Sequence, residues 1–468
     1  MISTDKTELS MTERQFAEAP VGSLVMKFAV PAVISLLVNS LYNIVDQVYI
    51  GQGVGFLGNA ATNVSFPLVS ITMALGLLLG VGCSANFSLR LGEGRRELAA
   101  QGVGNSLTLQ ILCGLILFGL GTAFLEPMLK AFGATPLVMP YALDYTRITL
   151  WGLPLVLVSL GLSNVIRADG ATRYVMWTTM SGAALNTVLD PIFIFPWGLG
   201  MGVAGAAWAT VISQALVFVL TVAYLRRFQC IRFSLDCMRL RSRVVRSLLT
   251  LGTSSLLNHA TLVLLQITVN NSVVYYGALS AYGSEIPLAV MGIVMKVNQI
   301  LMSVVIGISI GAQPIIGYNY GAQNFHRVAE AYKRAATAAT CCAVLGFLTF
   351  QIFPVQLVSL FGKENPLYME YAARTFRIFL FMAMAVGIQV VTTGYFQATG
   401  RPLKAAFLTL TQRLGFFIPL MLALPLKLGL DGVLFAAPLS DFCALAVTLC
   451  SVLPDLKRLT KGALAAAG

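Results

Sequence analysis

The chain is dominated by about twelve apolar segments, each close to or longer than the roughly 20 residues that cross a bilayer as a helix. Hydrophobic residues make up 57% of the chain and charged residues 11%. Backbone groups in lipid must be satisfied within the segment, and the short alternating segments of a membrane barrel do not occur here. The sequence therefore predicts an all-α integral membrane protein with helices at 24–50, 58–82, 99–122, 138–163, 173–195, 202–225, 247–275, 286–313, 334–354, 368–394, 403–425 and 430–453.

The distribution of basic residues predicts the topology, because cytoplasmic loops retain lysine and arginine. Of the 31 basic residues, 23 fall in the N-terminal segment, in alternate loops and in the tail. The opposite loops hold three, which are Lys130, Lys363 and Lys427. Both termini are therefore expected in the cytoplasm, in a multi-pass protein of the cytoplasmic (inner) membrane. The net charge of +12 reflects this bias and contact with anionic lipid, so no nucleic-acid partner is expected.

The two halves of the chain resemble each other. With a shift of 230 residues, Pro136 and Tyr141 of FGATPLVMPYALDYTR fall on Pro366 and Tyr371 of FGKENPLYMEYAARTFR. We expect two parallel six-helix halves, related by a pseudo-two-fold axis along the membrane normal and separated by a cleft suited to alternating access. The expected parts are an N-terminal lobe at 1–224, a cytoplasmic basic linker at 225–246 and a C-terminal lobe at 247–468.

Two acidic residues lie within apolar segments of the first half. An ionisable side chain at mid-membrane costs about 2.5–3.5 kcal/mol on insertion scales, so it persists where something pairs or uses it. Counted along their helices from the nearest basic residue, Asp46 and Asp190 both lie about 25–28 Å from the cytoplasmic side, at one depth. Polar residues on the same helical faces, or on helix 6, are Asn39, Tyr42, Asn43, Asn186 and Thr210.

These groups form a set of oxygen atoms, to which Pro191 adds one more. Proline has no N–H to bond the carbonyl of Thr187, so that oxygen is left free within a turn of Asp190. Such a set suits Na⁺, and it suits a proton equally well. The structural alternative is a network in which Asn and Asp side chains hold helices together.

The residues now support a resemblance. PAVISLLVNSLYNIVDQVYIG on helix 1, Asn186-x-x-x-Asp190-Pro191 on helix 5 and GAQPIIGYNYGA at the end of helix 8 resemble the multidrug and toxic compound extrusion family, over nearly the whole chain. The resemblance implies a 12-helix, cation-coupled exporter of bulky organic compounds. It also implies a proton or sodium site at Asp46, Asn186, Asp190 and Thr210, with Pro31 as the proline about which helix 1 bends.

One departure from the family concerns the second half. Another branch places a cation site there, on acidic residues of helices 7 and 10. Helix 7 of this chain has no acidic residue, and helix 10 has Glu370 alone, at its outer end. We therefore expect no second cation site of that kind.

The second half instead carries basic residues at mid-membrane, Lys296 and Arg413. Asp441 lies at a similar depth, so we expect an ion pair between Arg413 and Asp441, with Lys296 as either a cavity residue or a paired one. Met291, Met295 and Gln299 share the stripe of Lys296 and serve either packing or an adaptable substrate wall. For His259, a hydrogen-bonded structural role is preferred over a proton relay.

The function expected from these features is H⁺- or Na⁺-coupled antiport of organic compounds or drugs by alternating access, with Pro31 and Pro191 as hinges. The alternative is a flippase for lipid-linked saccharides. An enzyme is not expected, because no nucleophile–base pair or metal motif occurs. Eight cysteines without CxxC spacing indicate neither metal nor disulfide. The expected partners are small organic substrates and membrane lipid, for a monomer without a cofactor other than the coupling ion.

Overall fold

A computed structural model describes residues 10–283, 285–359 and 366–467. The side chains of residue 56 and of residues 460–467 are not described. Lys6 and Lys363, which were counted for the topology, and the FGKEN stretch of the repeat lie outside the described residues.

Within the described ranges the chain forms helices and no strand, as the composition predicts. A π-helix at Thr411–Phe417 joins α15 to α16. The α-helices are α1 (Met11–Glu18), α2 (Val21–Gly53), α3 (Phe56–Gly92), α4 (Arg96–Ala123), α5 (Leu125–Ala131), α6 (Met139–Ala168), α7 (Thr172–Ile194), α8 (Gly202–Ala223), α9 (Ser242–Ala278), α10 (Glu285–Gly321), α11 (Phe325–Ile352), α12 (Pro354–Ser359), α13 (Pro366–Phe379), α14 (Ala383–Ala398), α15 (Pro402–Leu410), α16 (Ile418–Ala423), α17 (Pro425–Leu428) and α18 (Leu430–Ala467).

The helices match the predicted spans. In the described residues, nine helices are long and apolar enough to cross a membrane, and eleven if two bent helix pairs are each counted as one span. The twelfth predicted span, 173–195, corresponds to α7, which is 23 residues long. Since α7 carries several threonines together with Asn186 and Asp190, it is less apolar than the others. The all-α membrane fold predicted from the sequence is confirmed.

The two bent spans lie at equivalent positions of the repeat. In the first half, α6 bends by 52° between Thr149 and Gly152. Pro154 follows directly, and its missing N–H leaves a gap in the helical hydrogen bonds at Leu150. A kink in α6 therefore has a local cause in the sequence.

In the second half, α13 and α14 meet at a bend of 46° without a proline. Gln351 of α11 donates a hydrogen bond of 2.9 Å to the carbonyl of Arg377. In an unbroken helix that carbonyl would bond the N–H of Phe381, which instead bonds Ile378. A side chain from a neighbouring helix thus interrupts the helical hydrogen bonds where proline does so in the first half.

The chain divides into two compact units, Met1–Gly252 with Gly317–Gln323, and Thr253–Ile316 with Asn324–Gly468. In the first unit, α3 packs along α6, both α6 and α7 pack along α8, and α2 packs along α7. In the second unit, α11 packs along α14, and α18 packs along the π-helix.

The last turn of α10 belongs to the first unit, where it meets the end of α3 through two glycines. A Cβ atom on Gly92 would lie 2.0 Å from the carbonyl oxygen of Tyr318, and one on Gly321 would lie 2.3 Å from that of Leu89. Only residues without a side chain permit backbones to approach so closely. The repeat had matched these two glycines to each other, and the structure places them in contact.

The short helix α1 is attached to this region by its buried face, beginning with Glu13. Ser10 and Glu13 form a capping box, with 2.7 Å between the backbone N of Ser10 and Glu13 Oε2. The Glu13 side chain is 2% exposed and forms an ion pair with Arg96 of α4. One carboxylate therefore both caps α1 and holds it on the bundle.

A buried aromatic side chain continues this attachment. The ring of Phe16 is fully buried, with ring centroids 5.5 Å from Phe28 of α2 and 5.4 Å from Tyr318 of α10. Asn319 donates a hydrogen bond of 3.1 Å to the carbonyl of Phe16. Helix α1 thus joins the start of α2 to the last turn of α10.

The segment after α8 completes the contact, and it is held in turn by Asp169. The hydroxyl of Ser10 lies 3.7 Å from the thiol of Cys230, which is 4% exposed. Asp169 accepts hydrogen bonds from the backbone N–H of Gln229 and of Cys230, at 2.8 and 3.0 Å, and from Tyr224 Oη at 2.7 Å. Burial raises the pKa of Asp169 to about 6, although these hydrogen bonds oppose the effect.

Replacing Glu13 with Gln is expected to release α1. The substitution removes a buried charge and strands Arg96, a loss of about 1–3 kcal/mol, so the thiol of Cys230 should react with maleimide about tenfold faster. Labelling is measured on a chain in which the other seven cysteines are replaced by Ala. Glu18→Gln is the matched control, because Glu18 lies on the exposed face of the same helix. Equal labelling rates in both variants would contradict the attachment.

Candidate functional site

The two intramembrane acids of the first unit meet. The carboxyl groups of Asp46 on α2 and Asp190 on α7 lie within hydrogen-bonding reach of each other. Asp190 is 0% exposed and Asp46 is half-buried. The helices approach closely at their ends, where a Cβ on Gly53 would lie 2.3 Å from Cγ2 of Ile194. The depth calculation from the sequence had put both acids at one level, and the packing of α2 on α7 brings them together.

Asn186 completes the centre of the site, one turn before Asp190 on α7. Its Nδ2 donates a hydrogen bond of 3.2 Å to Oδ1 of Asp190, and its side chain is buried. Four residues earlier, Gly182 lets α8 approach, since a Cβ there would lie 2.4 Å from Cγ2 of Val217. The absence of a side chain at Gly182 thus holds α7 against α8 just below the site.

The site has more acceptors than donors. Asp46 Oδ1, Asn186 Oδ1 and Asp190 Oδ2 are buried and have no hydrogen-bond partner among the described residues. A buried polar atom left unpaired costs about 1–3 kcal/mol. Two carboxyl groups in contact need at least one proton or a cation between them, because two ionised carboxylates repel each other and have no hydrogen to share. The chemistry of this cluster is therefore to take up a positive charge.

Two tyrosines face the acids, and the sequence had indicated only one of them. Tyr42 and Tyr145 both interact electrostatically with Asp46 and with Asp190. Beside Tyr145 on α6, Thr146 forms a buried 2.6 Å hydrogen bond with Ser65 of α3, which fixes this face of α6. The sequence offered no specific signal for Tyr145, because tyrosines near the ends of membrane helices are common as interfacial anchors.

Other predicted residues of the first unit lie outside the central cluster. Thr210 is half-buried on α8, and no hydrogen bond in the described part of the chain joins it to either carboxyl group. Asn39 and Asn43 are exposed on α2, with Nδ2 of Asn43 3.2 Å from Oδ1 of Asn39. Helices α2 and α7 continue through Pro31 and Pro191, so the hinge roles of these prolines stay predictions.

In the second unit, the predicted substrate-cavity residues lie on α10. Met291 is 1% exposed and Met295 is half-buried, whereas Lys296 and Gln299 are exposed. Met291 thus packs in the protein interior, and the exposed pair is accessible. Their contact with substrate stays a prediction.

The expected ion pair between Arg413 and Asp441 is wrong. Nη1 of Arg413 donates to the carbonyl of Asn258 on α9 and, at 3.1 Å, to Oγ1 of Thr261. Asp441 instead accepts a 2.9 Å hydrogen bond from Nε2 of Gln412. Adjacent residues of a helix point in directions about 90–100° apart, so Gln412 faces α18 and Arg413 faces α9. Equal depth in the membrane did not establish a shared face.

The comparisons with known proteins come after this geometry. A family model described as MatE matches residues 31–192 and again 261–421. The two matches begin 230 residues apart, the same shift that aligns the repeat in the sequence.

Relatives and solved structures agree over most of the chain. The chain is 25% identical over 434 residues to the multidrug export protein MepA of Staphylococcus haemolyticus, covering 91% of this chain and 92% of the relative. It is 25% identical over 444 residues to MepA of Staphylococcus aureus (strain MSSA476), covering 93% and 94%. A solved structure of a multidrug resistance MATE family transporter of the MOP superfamily, in an outward-facing conformation, shares the fold at 23% identity, with a TM-score of 0.90 over 97% of this chain and 100% of that chain.

The unpaired acceptors predict opposite stability effects for two buried aspartates. Asp190→Asn supplies an N–H donor to Asp46, so the unfolding midpoint of the purified protein should stay equal or rise. Asp169→Asn removes an acceptor that three donors use, and should lower the stability by about 1–3 kcal/mol. Thermal unfolding in detergent at pH 7.5, read by intrinsic fluorescence, measures both. A clear fall for Asp190→Asn would favour the structural network over an ion site.

Proposed function

The chain belongs to the multidrug and toxic compound extrusion (MATE) family of multidrug efflux transporters, and we propose that it works as a cation-coupled antiporter. In this proposal, bulky organic compounds leave the cell while H⁺ or Na⁺ enters through the site of Asp46 and Asp190. The observation that carries the proposal is the group of three buried acceptor oxygens around Asp46, Asn186 and Asp190.

The coupling follows from the charge of that group. An acceptor cluster deep in a membrane bundle is costly when empty and is stabilised by a bound cation. A cation that binds more tightly in one conformation shifts the equilibrium toward it, by as much as the difference in its two affinities. Asp46 on α2 and Asp190 on α7 belong to different helices, so occupation of the site changes the force between these helices directly.

The two tyrosines extend the proposed site. Tyr42 and Tyr145 lie on α2 and α6 and sense both acids, so we include Tyr145 with the proton or sodium site. Thr210 stays a predicted ligand on the strength of the family resemblance. We assign Asn39, Asn43, Met291, Met295, Lys296 and Gln299 to the substrate cavity.

The basic residues support a place for the protein in the cell. The chain is a multi-pass membrane protein of a bacterial multidrug exporter family. From the excess of lysine and arginine in alternate loops, we propose the cytoplasmic membrane with both termini inside. We also propose a monomer that needs membrane lipid and organic substrate as partners, and no cofactor beyond the coupling ion.

The flippase alternative predicts a lumen rich in arginine and lysine for the pyrophosphate of a lipid-linked saccharide. Lys296 and Arg413 lie in apolar spans, and neither forms an ion pair with a described residue, which is the observation that favours this alternative. A flippase would not need the acids of the first unit. The transport experiment below separates the two functions.

Neutralising Asp190 is expected to stop coupled transport. In sealed proteoliposomes with an imposed ion gradient, Asp190→Asn and Asp46→Asn should each lower the rate of cationic dye transport about tenfold or more, since each removes a charge that holds the coupling ion. Glu126→Gln is the control, because Glu126 is 57% exposed and pairs with Lys130 on the surface. Undiminished transport in Asp190→Asn would refute the assigned site.

The identity of the coupling ion should appear when the gradients are imposed separately. With a pH gradient alone and sodium absent, transport indicates proton coupling. With a sodium gradient alone at equal pH on both sides, transport indicates sodium coupling. We expect at least one gradient to drive the wild type and neither to drive Asp190→Asn. Equal transport without any gradient would contradict antiport.

A further inference from the structure

We propose that the second unit contains a binding site for an organic anion, formed where Arg413 of the π-helix lies beside His259 and Thr261 of α9. The proposal rests on the proposed function in one respect, because it names a class of cargo, amphipathic carboxylates, that the exporter would carry. All the residues belong to one compact unit, Thr253–Ile316 with Asn324–Gly468.

Arg413 is a charge without a counter-charge. It lies within the span Pro402–Leu428, and none of the ion pairs among the described residues includes it. Its contacts are a backbone carbonyl, that of Asn258, and the hydroxyl of Thr261. Basic residues inside membrane spans pair with an acidic group or serve a pathway for substrate or ions. Within the described residues, the partner of Arg413 is missing.

The unused face of Arg413 has the shape that grips a carboxylate. Both of its hydrogen bonds to described residues leave from Nη1. The Nε–H and an Nη2–H point to the same side of the guanidinium plane, and such a pair makes two parallel hydrogen bonds to the two oxygens of one carboxylate. Neither nitrogen is among the buried polar atoms without a partner, and the side chain is half-buried, so this face is reachable.

His259 adds a second unused group on the same side. It interacts electrostatically with Arg413, and its Nε2 is buried without a hydrogen-bond partner among the described residues. The structural hydrogen bond expected for this histidine is therefore not made by Nε2. An imidazole N–H and a guanidinium edge side by side offer donors and positive charge together, which suits an anion and repels a cation.

The orientation of Arg413 is set from the opposite side of the π-helix. Gln412 donates to Asp441 at 2.9 Å and to Gln389 at 3.3 Å, and its backbone carbonyl accepts a 3.0 Å hydrogen bond from Ser440. These contacts fix Gln412 on α18 and turn Arg413 toward α9. They also hold Asp441 away from the guanidinium. Short π-helical segments inside α-helices are frequent at functional sites.

The experiment compares two probes that differ in charge alone, naphthalene-1-acetate and naphthalene-1-acetamide. Binding is measured by calorimetry on the full-length protein in phosphatidylcholine nanodiscs, after subtraction of empty nanodiscs and with no ion gradient. The wild type should bind the carboxylate about tenfold or more tightly than the amide, as a bidentate charged pair allows. Arg413→Gln should abolish this preference, and Arg413→Lys should keep part of it, because lysine retains the charge without the paired geometry.

The control is Arg334→Gln, an exposed arginine that pairs with Glu330 on the surface, and it should keep the full preference. The proposal is overturned if the wild type binds neither probe at millimolar concentration, binds both equally, or keeps its preference in Arg413→Gln. The wild-type comparison alone decides the matter if Arg413→Gln does not fold. Since no gradient is applied, failure of coupling at Asp46 and Asp190 would refute antiport and leave this result intact.

Discussion

The interaction on which the protein depends is the contact of two carboxyl groups in a part of the chain that is otherwise built for lipid. Asp46 and Asp190 meet because α2 packs along α7, and Asn186 supplies the one side-chain donor to them. The surrounding helices exclude water, so the charge of this cluster has to be balanced by something that arrives and leaves. Packing and function are thus set by the same residues, and a more stable apolar substitute would lose the chemistry.

Much of the architecture could be predicted, because the bilayer imposes its thickness on the sequence. The spans, the repeat and the common depth of the two acids follow from segment length and rise per residue. The bend of α6 is signalled by Pro154. The bend between α13 and α14 is not, since it depends on Gln351 of another helix. Local signals thus predict features with local causes, and contacts between helices had to be seen.

The same limit explains the error at Arg413 and the omission of Tyr145. Depth gives the height of a residue in the membrane but not the direction in which its side chain points, and a π-helix changes that direction further along the helix. Helix α1 was also missed, because its polar face and short length indicate nothing in a sequence dominated by spans. Its role depends on Glu13 and Phe16 finding partners in α4, α2 and α10.

The repeat shows how two halves can share a fold and differ in charge. A shift of 230 residues places Leu420 opposite Asp190, and Arg413 opposite Ala183, so the first unit attracts cations where the second attracts anions.

At their ends the two units keep one interaction and exchange its members. In the first, Tyr224 donates to Asp169, which follows α6; in the second, Tyr395 of α14 donates to Asp455 of α18, at 2.5 Å. The bond joins the fourth and sixth spans in both units, with the acid on opposite partners. Since a hydrogen bond requires only one donor and one acceptor, packing can preserve it while the aligned residues no longer match.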